Sequence, residues 1–477
     1  MAAVADYGKH DAIGLAELVR TEQATASDVI EAAIERIEAL NPKLNAVVHR
    51  MYDEGRKRVA AGLPSGPFTG VPYLLKDLGQ FYAGQPLSNG SHLFAGFVPD
   101  HDGTLTQRLK AAGMVILGKT STPEMGLAST TEPRRFGSCR NPWDLARSTG
   151  GSSGGSAAMV AAGALPAAHA TDGGGSIRIP ASQCVLFGLK PTRIRVPMGP
   201  DISESLSGFG IAHAVTRSVR DSAAILDATH GPELGDPYTC PPPLRPFLDE
   251  VTAEPGRLRI AVSTRSPAGT PVDPDCVQGV EAAARLCAEL GHTVEEATPE
   301  FSAEAAIQTW RTVVAAHIRN GVDTRLRVLG RPLRQGDLEA ITTLWAEEGG
   351  RVTAADYAGA LLTQQAITRS FGRFFLRHDI LLTPTMADPP QALGTYDMGS
   401  ADLDDYVDRS LRHTAFTPQF NITGCPAMSV PLHWTKSGLP VGIHFGAGFG
   451  NEAMLFRLGG QLERARPWQD RRPPTHM

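Results

Sequence analysis

The sequence lacks any apolar run of about 18 residues, the length that a helix needs to cross a bilayer. Its first eleven residues also lack the apolar core of a secretory signal. Lysine and arginine (45) do not outnumber aspartate and glutamate (50), and the net charge of −5 offers no basic excess for nonspecific nucleic-acid binding. We therefore expect a cytoplasmic protein that works without a membrane and without nucleic acid.

Cysteine is also scarce. Six cysteines are spread over 477 residues, and they show no Cys-x-x-Cys spacing. Such scatter is not typical of a zinc site or of a disulfide framework. We expect reduced thiols, no metal and no cofactor.

The composition indicates a large globular core, since 42% of the residues are hydrophobic and 20% are charged. A chain of this length has room for two or three ordinary domains, although large α/β enzymes often use it as one. Helical and strand-like patterns alternate along the chain, which predicts a layered α/β fold.

Local signals give several element boundaries. Residues 12–20 predict a helix, and Thr25 predicts the N-cap of a second one that ends at Asn41–Pro42. The apolar run 71–75 predicts a strand, whereas residues 387–409, rich in proline and then acidic, predict a loop.

Two glycine-serine loops flank an apolar run. Residues 150–156 read Gly-Gly-Ser-Ser-Gly-Gly-Ser, and residues 172–176 read Asp-Gly-Gly-Gly-Ser. Glycine at this density lets backbone N–H groups converge on an anion. A flexible linker does not explain two such loops, and a phosphate loop is disfavoured because neither loop ends in Gly-Lys-Ser or Gly-Lys-Thr. Acyl transfer remains.

One form of acyl transfer uses the Gly-x-Ser-x-Gly elbow of α/β-hydrolases. Residues 151–155 fit that pattern and would make Ser153 the nucleophile. This interpretation leaves the second loop unexplained and requires a catalytic histidine. His169, inside the apolar run, is expected to be packed or to cap an element.

The complete segment resembles the amidase signature family. Residues 150–156 and 172–181 agree with the family pattern in order and spacing, and residues 70–77, 122–126 and 420–431 match further stretches. The resemblance thus extends over nearly the whole chain. It implies a single domain over 1–477, an α/β/α sandwich with a central twisted mixed β-sheet covered by helices, and a catalytic core at about 65–230.

The resemblance also implies a catalytic triad. Ser176 attacks the carbonyl carbon, Ser152 relays the proton after a cis peptide bond, and Lys76 is the base. A lysine acts as a base near neutral pH only when burial lowers its pKa. We therefore expect Lys76 to be enclosed by the serine loops and largely uncharged.

Backbone N–H groups of the second loop are expected to stabilise the oxyanion of the tetrahedral intermediate. The predicted donors are Gly173, Gly174, Gly175 and Ser176. Three further side chains are expected to brace the loops without acting on substrate: Ser153, Asp172 and Arg178.

Two residues are candidates for substrate contact. Met125 lies in a stretch that lines the acyl pocket in the family, and Trp310 lies in the variable region at about 300–410 that shapes the substrate entrance. Packing in the core is the competing interpretation for both. Residues 300–375 are predicted to be mainly helical.

The predicted function is hydrolysis of the C–N bond of a small or hydrophobic amide, linear or cyclic. Carbamates (urethanes) and esters are further candidate substrates, because the same acyl-enzyme chemistry serves them. The alternative is the glutamine-hydrolysing subunit of a tRNA-dependent amidotransferase. The expected partner is a small-molecule amide, and a homodimer is one candidate assembly.

Overall fold

A computed structural model describes residue 4 and residues 6–477 of the protein. The α-helices are α1 Ala12–Arg20, α2 Ala26–Leu44, α3 Tyr52–Ala60, α4 Thr104–Ala111, α5 Gly154–Ala161, α6 Arg178–Cys184, α7 Val219–Thr229, α8 Phe247–Glu250, α9 Pro274–Glu289, α10 Ala303–Leu329, α11 Ala340–Gly349, α12 Ala354–Phe375, α13 Leu403–His413, α14 Pro418–Thr423 and α15 Glu452–Ala465. The strands are β1 Val47–Arg50, β2 Pro72–Lys76, β3 Val115–Thr120, β4 Arg140–Asn141, β5 Asp144–Ser148, β6 Ala167–Asp172, β7 Phe187–Lys190, β8 Ile211–Thr216, β9 Arg259–Val262, β10 Thr293–Glu296, β11 Ile380–Pro384, β12 Ala427–Trp434 and β13 Pro440–Ala447.

An eight-stranded mixed sheet in the order β10-β9-β11-β13-β12-β7-β8-β6 forms the centre. The pairs β10–β9 and β9–β11 are parallel, and the remaining pairs are antiparallel. A second sheet, β1-β3-β2, places its edge strand β2 against β6 at the edge of the large sheet. Lys76, at the end of β2, therefore meets the end of β6, where the second glycine loop begins.

Helices cover both faces of the large sheet. At Gly442 in β13 an added Cβ would lie 2.5 Å from Ser182 Cβ of α6, so this position faces α6. The next residue, Ile443, contacts α9, because a Cβ added to Gly279 would lie 3.0 Å from Ile443 Cδ1. Successive residues of a strand point to opposite faces, so α6 and α9 lie on opposite sides of the sheet. This arrangement confirms the predicted α/β fold.

Most local predictions agree with the structure. Helix α1 has the predicted bounds, and Thr25 caps α2 in a capping box with Asp28. The helical prediction for residues 300–375 corresponds to α10, α11 and α12.

Two boundaries were predicted wrongly. Helix α2 continues through Pro42 to Leu44. A proline in the last turn removes only one backbone hydrogen bond, so the helix tolerates it, and Asn45, at φ 51°, ends the helix. The predicted loop at 387–409 contains the start of α13, where Asp402 accepts from the Asp405 N–H as N-cap.

The largest buried apolar cluster joins both ends of the described chain, since it includes Tyr7 and Trp468, and two further clusters contain Trp345 and Phe371. All six cysteines are free and buried, as predicted for reduced thiols. Among the helices of the described residues, none combines the length and the apolarity needed to cross a membrane.

The centre of the large sheet gives a stability prediction. Ile443 is fully buried, so Ile443→Ala should lower the free energy of unfolding by about 2–5 kcal/mol through lost burial and a residual cavity. Leu362→Ala on α12 is the matched control, because Leu362 is 66% exposed and should change stability by about 0.5 kcal/mol or less. Urea titration measures both, and equal losses would contradict the placement of β13.

Candidate active site

Lys76 lies at the carboxyl end of β2 and is fully buried. Its Nζ donates to Ser152 Oγ at 2.6 Å and to Thr171 Oγ1 at 2.9 Å. Its backbone N–H donates to His169 Nδ1 at 3.2 Å, which joins β2 to β6. The amine is thus held between Ser152 of the first glycine loop and Thr171, which directly precedes the second loop.

Burial lowers the pKa of Lys76 well below 10.5, and the charge of Asp172 opposes that shift only in part. Both recorded hydrogen-bond partners of Nζ are hydroxyl groups, which do not stabilise an ammonium ion as a carboxylate would. The site therefore favours an uncharged amine beside the Ser152 hydroxyl. His169 is buried too, and burial lowers its pKa to about 3, so it is a neutral packing partner.

The first glycine loop presents Ser152 to the lysine. The Gly151–Ser152 peptide bond is cis, as the family resemblance implied. The loop packs so closely on residues 128–130 that a Cβ at Gly151 would lie 2.3 Å from the Thr130 carbonyl oxygen. Glycine at 151 is therefore required by the close approach of two backbones.

Ser153 has a different environment from Ser152. Its Oγ donates to the Thr171 carbonyl at 3.2 Å and accepts from the Thr171 N–H at 3.3 Å, and the residue is fully buried. This hydroxyl ties the first loop to β6. Such an environment does not suit the nucleophile of the α/β-hydrolase interpretation, which has to reach substrate.

Ser176 stands on the second loop, two residues before α6, and is half-buried. It lines a cavity of about 240 Å³ together with Ser152 and Thr171. The nucleophile candidate and the relay candidate therefore face the same space, while Lys76 lies behind Ser152 in the protein interior.

The peptide units of the second loop are oriented by partners of their carbonyl groups. Asn421 Nδ2 donates to the Asp172 carbonyl at 3.0 Å, Trp310 Nε1 to that of Gly173 at 3.1 Å, and Thr417 Oγ1 to that of Gly174 at 2.7 Å. The N–H of a trans peptide points opposite to its carbonyl. The N–H groups of Gly173 and Gly174 therefore point away from Asn421 and Trp310.

One predicted oxyanion donor is occupied. The Gly175 N–H donates to Asp172 Oδ1 at 2.7 Å, because the loop turns at Gly175 with φ 134°. A Cβ there would lie 2.4 Å from Thr417 Oγ1, so the turn requires glycine. Gly173, Gly174 and Ser176 remain as candidate donors.

Asp172 and Arg178 form a fully buried ion pair under the loop. Arg178 donates to the two carboxylate oxygens at 2.9 and 3.0 Å, and the Ile177 N–H donates to the same carboxylate at 3.1 Å. Burial alone would raise the pKa of Asp172, but the Arg178 guanidinium holds it well below its usual range. The predicted bracing residues thus do contact the loop that carries Ser176.

Met125 and Trp310, the two candidates for substrate contact, both line the cavity. Met125 adopts a left-handed conformation with φ 50°, and Trp310 packs edge-to-face on Trp345 at a centroid distance of 5.9 Å. Most other lining side chains are apolar or small, among them Leu78, Leu127, Met198, Leu206, Ile211 and Val314. The cavity therefore suits an apolar substrate.

Sequence reasoning missed several residues of this site. Thr171 directly precedes the second glycine-serine loop, and its position near the end of a strand facing β2 was the available signal. Glu124 is buried behind Met125, where Oε1 accepts from Ser91 Oγ at 2.6 Å and Oε2 from the Glu339 N–H at 2.7 Å. Glu124 thereby connects the turn at residues 124–126 to the start of α11.

The family model described as Amidase matches residues 28–456. The 6-aminohexanoate-cyclic-dimer hydrolase of Paenarthrobacter ureafaciens is 38% identical over 475 residues, covering 97% of this chain and 96% of the relative.

Two solved structures share the fold. A structure of 6-aminohexanoate cyclic dimer hydrolase superposes with a TM-score of 0.93 at 37% identity, covering 98% of this chain and 99% of the other. A bacterial aryl acylamidase of the amidase signature family has a TM-score of 0.87 at 29% identity, with 96% of each chain covered.

The buried ion pair gives the second prediction. Asp172→Asn leaves the Arg178 charge buried without its partner and should lower the free energy of unfolding by about 3–5 kcal/mol. The control is Asp323→Asn, which breaks the exposed i,i+4 pair with Arg319 and should cost about 0.5 kcal/mol or less. Chemical denaturation compares them, and an equally small loss for both variants would refute the bracing role of Asp172.

Proposed function

The chain belongs to the amidase family, and we propose that it cleaves the C–N bond of amides through an acyl-enzyme on Ser176. The observation that carries the proposal is the 2.6 Å hydrogen bond between the buried Lys76 Nζ and Ser152 Oγ, at the edge of a cavity that Ser176 also lines. A poorly acidic serine hydroxyl needs a base within reach of its proton. An uncharged lysine acting through a second hydroxyl supplies that base.

The proposed acylation has two steps. Ser176 Oγ attacks the carbonyl carbon while its proton passes to Ser152 Oγ, and the proton of Ser152 passes to Lys76 Nζ. The tetrahedral intermediate then collapses, the C–N bond breaks, and the same relay returns a proton to the departing nitrogen. This return is essential, because an amide anion is a very poor leaving group.

Deacylation repeats the relay with water. A water molecule attacks the acyl carbon, its proton moves through Ser152 to Lys76, and collapse of the second intermediate returns a proton to Ser176 Oγ. In both halves the negative oxygen forms where the N–H groups of Gly173, Gly174 and Ser176 are available. Removing one such donor typically slows catalysis by about 10²–10³-fold.

The cavity supports a small or hydrophobic amide as substrate, linear or cyclic. A relative at 38% identity is called a cyclic-dimer hydrolase, which favours a cyclic or linear aliphatic amide. Carbamates and small esters form the same kind of acyl-enzyme and belong in the same screen.

Glutamine suits this cavity less well. Of the described residues that line it, Asp172 is the only charged one, and its carboxylate is committed to Arg178. The α-ammonium and α-carboxylate groups of glutamine would lose hydration there without gaining an ionic partner. We therefore favour a free-standing amidase over the glutamine-hydrolysing subunit.

The third prediction tests the nucleophile. An aryl sulfonyl fluoride should label Ser176, seen by peptide mass spectrometry, and Ser176→Ala should lower kcat on an aliphatic or aryl amide by at least about 10³-fold. Ser153→Ala is the matched control and should retain far more activity than Ser176→Ala. Labelling of Ser153 with Ser176 unmodified would reject the assignment.

The fourth prediction concerns pH. The relay needs neutral Lys76, so kcat/KM should be low below the pKa of Lys76, rise through it, and reach a plateau well below pH 10. A profile that rises only near pH 10.5 would contradict the relay.

Lys76→Met supplies the control for folding. In the unfolded chain Lys76 binds a proton that the buried amine of the folded protein does not bind. Burial of the amine therefore lowers the free energy of unfolding at neutral pH. Lys76→Met should therefore keep or raise the melting temperature while abolishing the pH-dependent activity.

A further inference from the structure

A second cavity, of about 250 Å³, adjoins the catalytic cavity. The two cavities have four lining residues in common: Trp310, Val407, Leu411 and Pro418. A single layer of side chains, from α10, α13 and the start of α14, therefore separates them.

The second cavity has an apolar interior. Its walls include Phe301, Ala306, Ile307 and Ile422. The charged residues along it are paired with one another, because Arg311 lies 2.6 Å from Asp404 and Arg412 lies 2.6 Å from Asp408. Charges that already have partners do not demand a charged ligand, so this space suits an aliphatic chain.

The shared wall is less tightly buried than the wall formed by Trp345 and Val314. Trp310, Leu411 and Pro418 are half-buried and Val407 is 5% exposed, whereas Trp345 and Val314 on another wall are only 1% and 2% exposed. Close-packed side chains resist insertion. A substrate chain that outgrows the catalytic cavity therefore meets less resistance toward the second cavity than toward Trp345 and Val314.

The position of the proton relay indicates that the acyl chain of the substrate, and not its amine, extends toward the second cavity. The leaving nitrogen must lie near Ser152, which returns its proton, so the acyl chain extends away from Ser152. A Cβ at Gly174 would lie 3.3 Å from Trp310 Nε1, so Trp310 of the shared wall packs beside the Gly174 backbone, on the side opposite its N–H group. The second cavity is built from residues 267–270, 301–311 and 404–422.

We propose that the second cavity is a distal subsite for the far end of an extended aliphatic acyl chain. The proposal rests on the amidase function proposed above. It makes Ile307, which lines only the second cavity, a determinant of acyl-chain length.

The test is a series of acyl para-nitroanilides from acetyl to decanoyl, with kcat/KM measured for each. Burying one methylene is worth about fourfold in binding, so the wild-type enzyme should gain steeply once the chain enters the subsite. Ile307→Trp fills that space and should lower the decanoyl-to-acetyl ratio of kcat/KM by about tenfold or more. Leu411→Ala thins the shared wall and should raise the same ratio.

Gln308→Trp is the matched control, since it adds the same side chain at the neighbouring exposed position of α10 and should leave the ratio unchanged. The inference is overturned if Ile307→Trp leaves the ratio unchanged, or if it lowers acetyl and decanoyl turnover equally. Hydrolysis of short anilides without any gain in kcat/KM on longer chains would refute the subsite and would still support the proposed amidase function. Failure to hydrolyse any amide in this series or in a wider screen would remove both.

Discussion

The hydrogen bond from Lys76 Nζ to Ser152 Oγ is the interaction on which the chemistry of this protein depends. Lys76 can act as a base because of the groups that surround its amine. Nζ meets two hydroxyl groups in a buried space, and burial favours the uncharged form. The nearby negative charge, on Asp172, is bound to Arg178 and is therefore only partly effective in stabilising an ammonium ion. The same pair thus braces the nucleophile loop and limits the charge felt by the base.

The fold explains how these groups meet. Strand β2 of the small sheet runs beside β6 of the large one, so the ends of both strands deliver Lys76 and Thr171 to one point. The first glycine loop packs on residues 128–130, and the second is held by Asn421, Trp310 and Thr417 from distant parts of the chain. A loop with three successive carbonyls engaged keeps its N–H groups directed before substrate arrives, which is the basis of electrostatic preorganisation.

Much of this could be predicted from sequence because it is local. The glycine spacing identified both loops, the family pattern identified Lys76, Ser152 and Ser176, and a short apolar run identified β2. The misses have physical causes. The engagement of the Gly175 N–H by Asp172 depends on a turn conformation, and the roles of Thr417, Asn421 and Glu124 depend on contacts across more than two hundred residues of chain. Neither a turn conformation nor a contact between distant residues can be predicted from a local sequence pattern. The start of α13 was visible in the apolar spacing of Leu403, Tyr406 and Val407, but the acidic composition obscured it.

The central claim is that the Lys76 amine is uncharged at neutral pH, and NMR can test it directly. In protein labelled with 13C at lysine Cε, the Lys76 resonance is assigned by its loss in Lys76→Met and followed from pH 6 to pH 11. Lys119 and Lys190, whose pKa values burial lowers to about 8 and about 7, are assigned in the same way. Because burial lowers the pKa of Lys76, its signal should reach the shift of a neutral amine well below the pH at which the surface lysines titrate. A signal that titrates with the surface lysines, near pH 10.5, would show an ammonium ion at Ser152 and would contradict it.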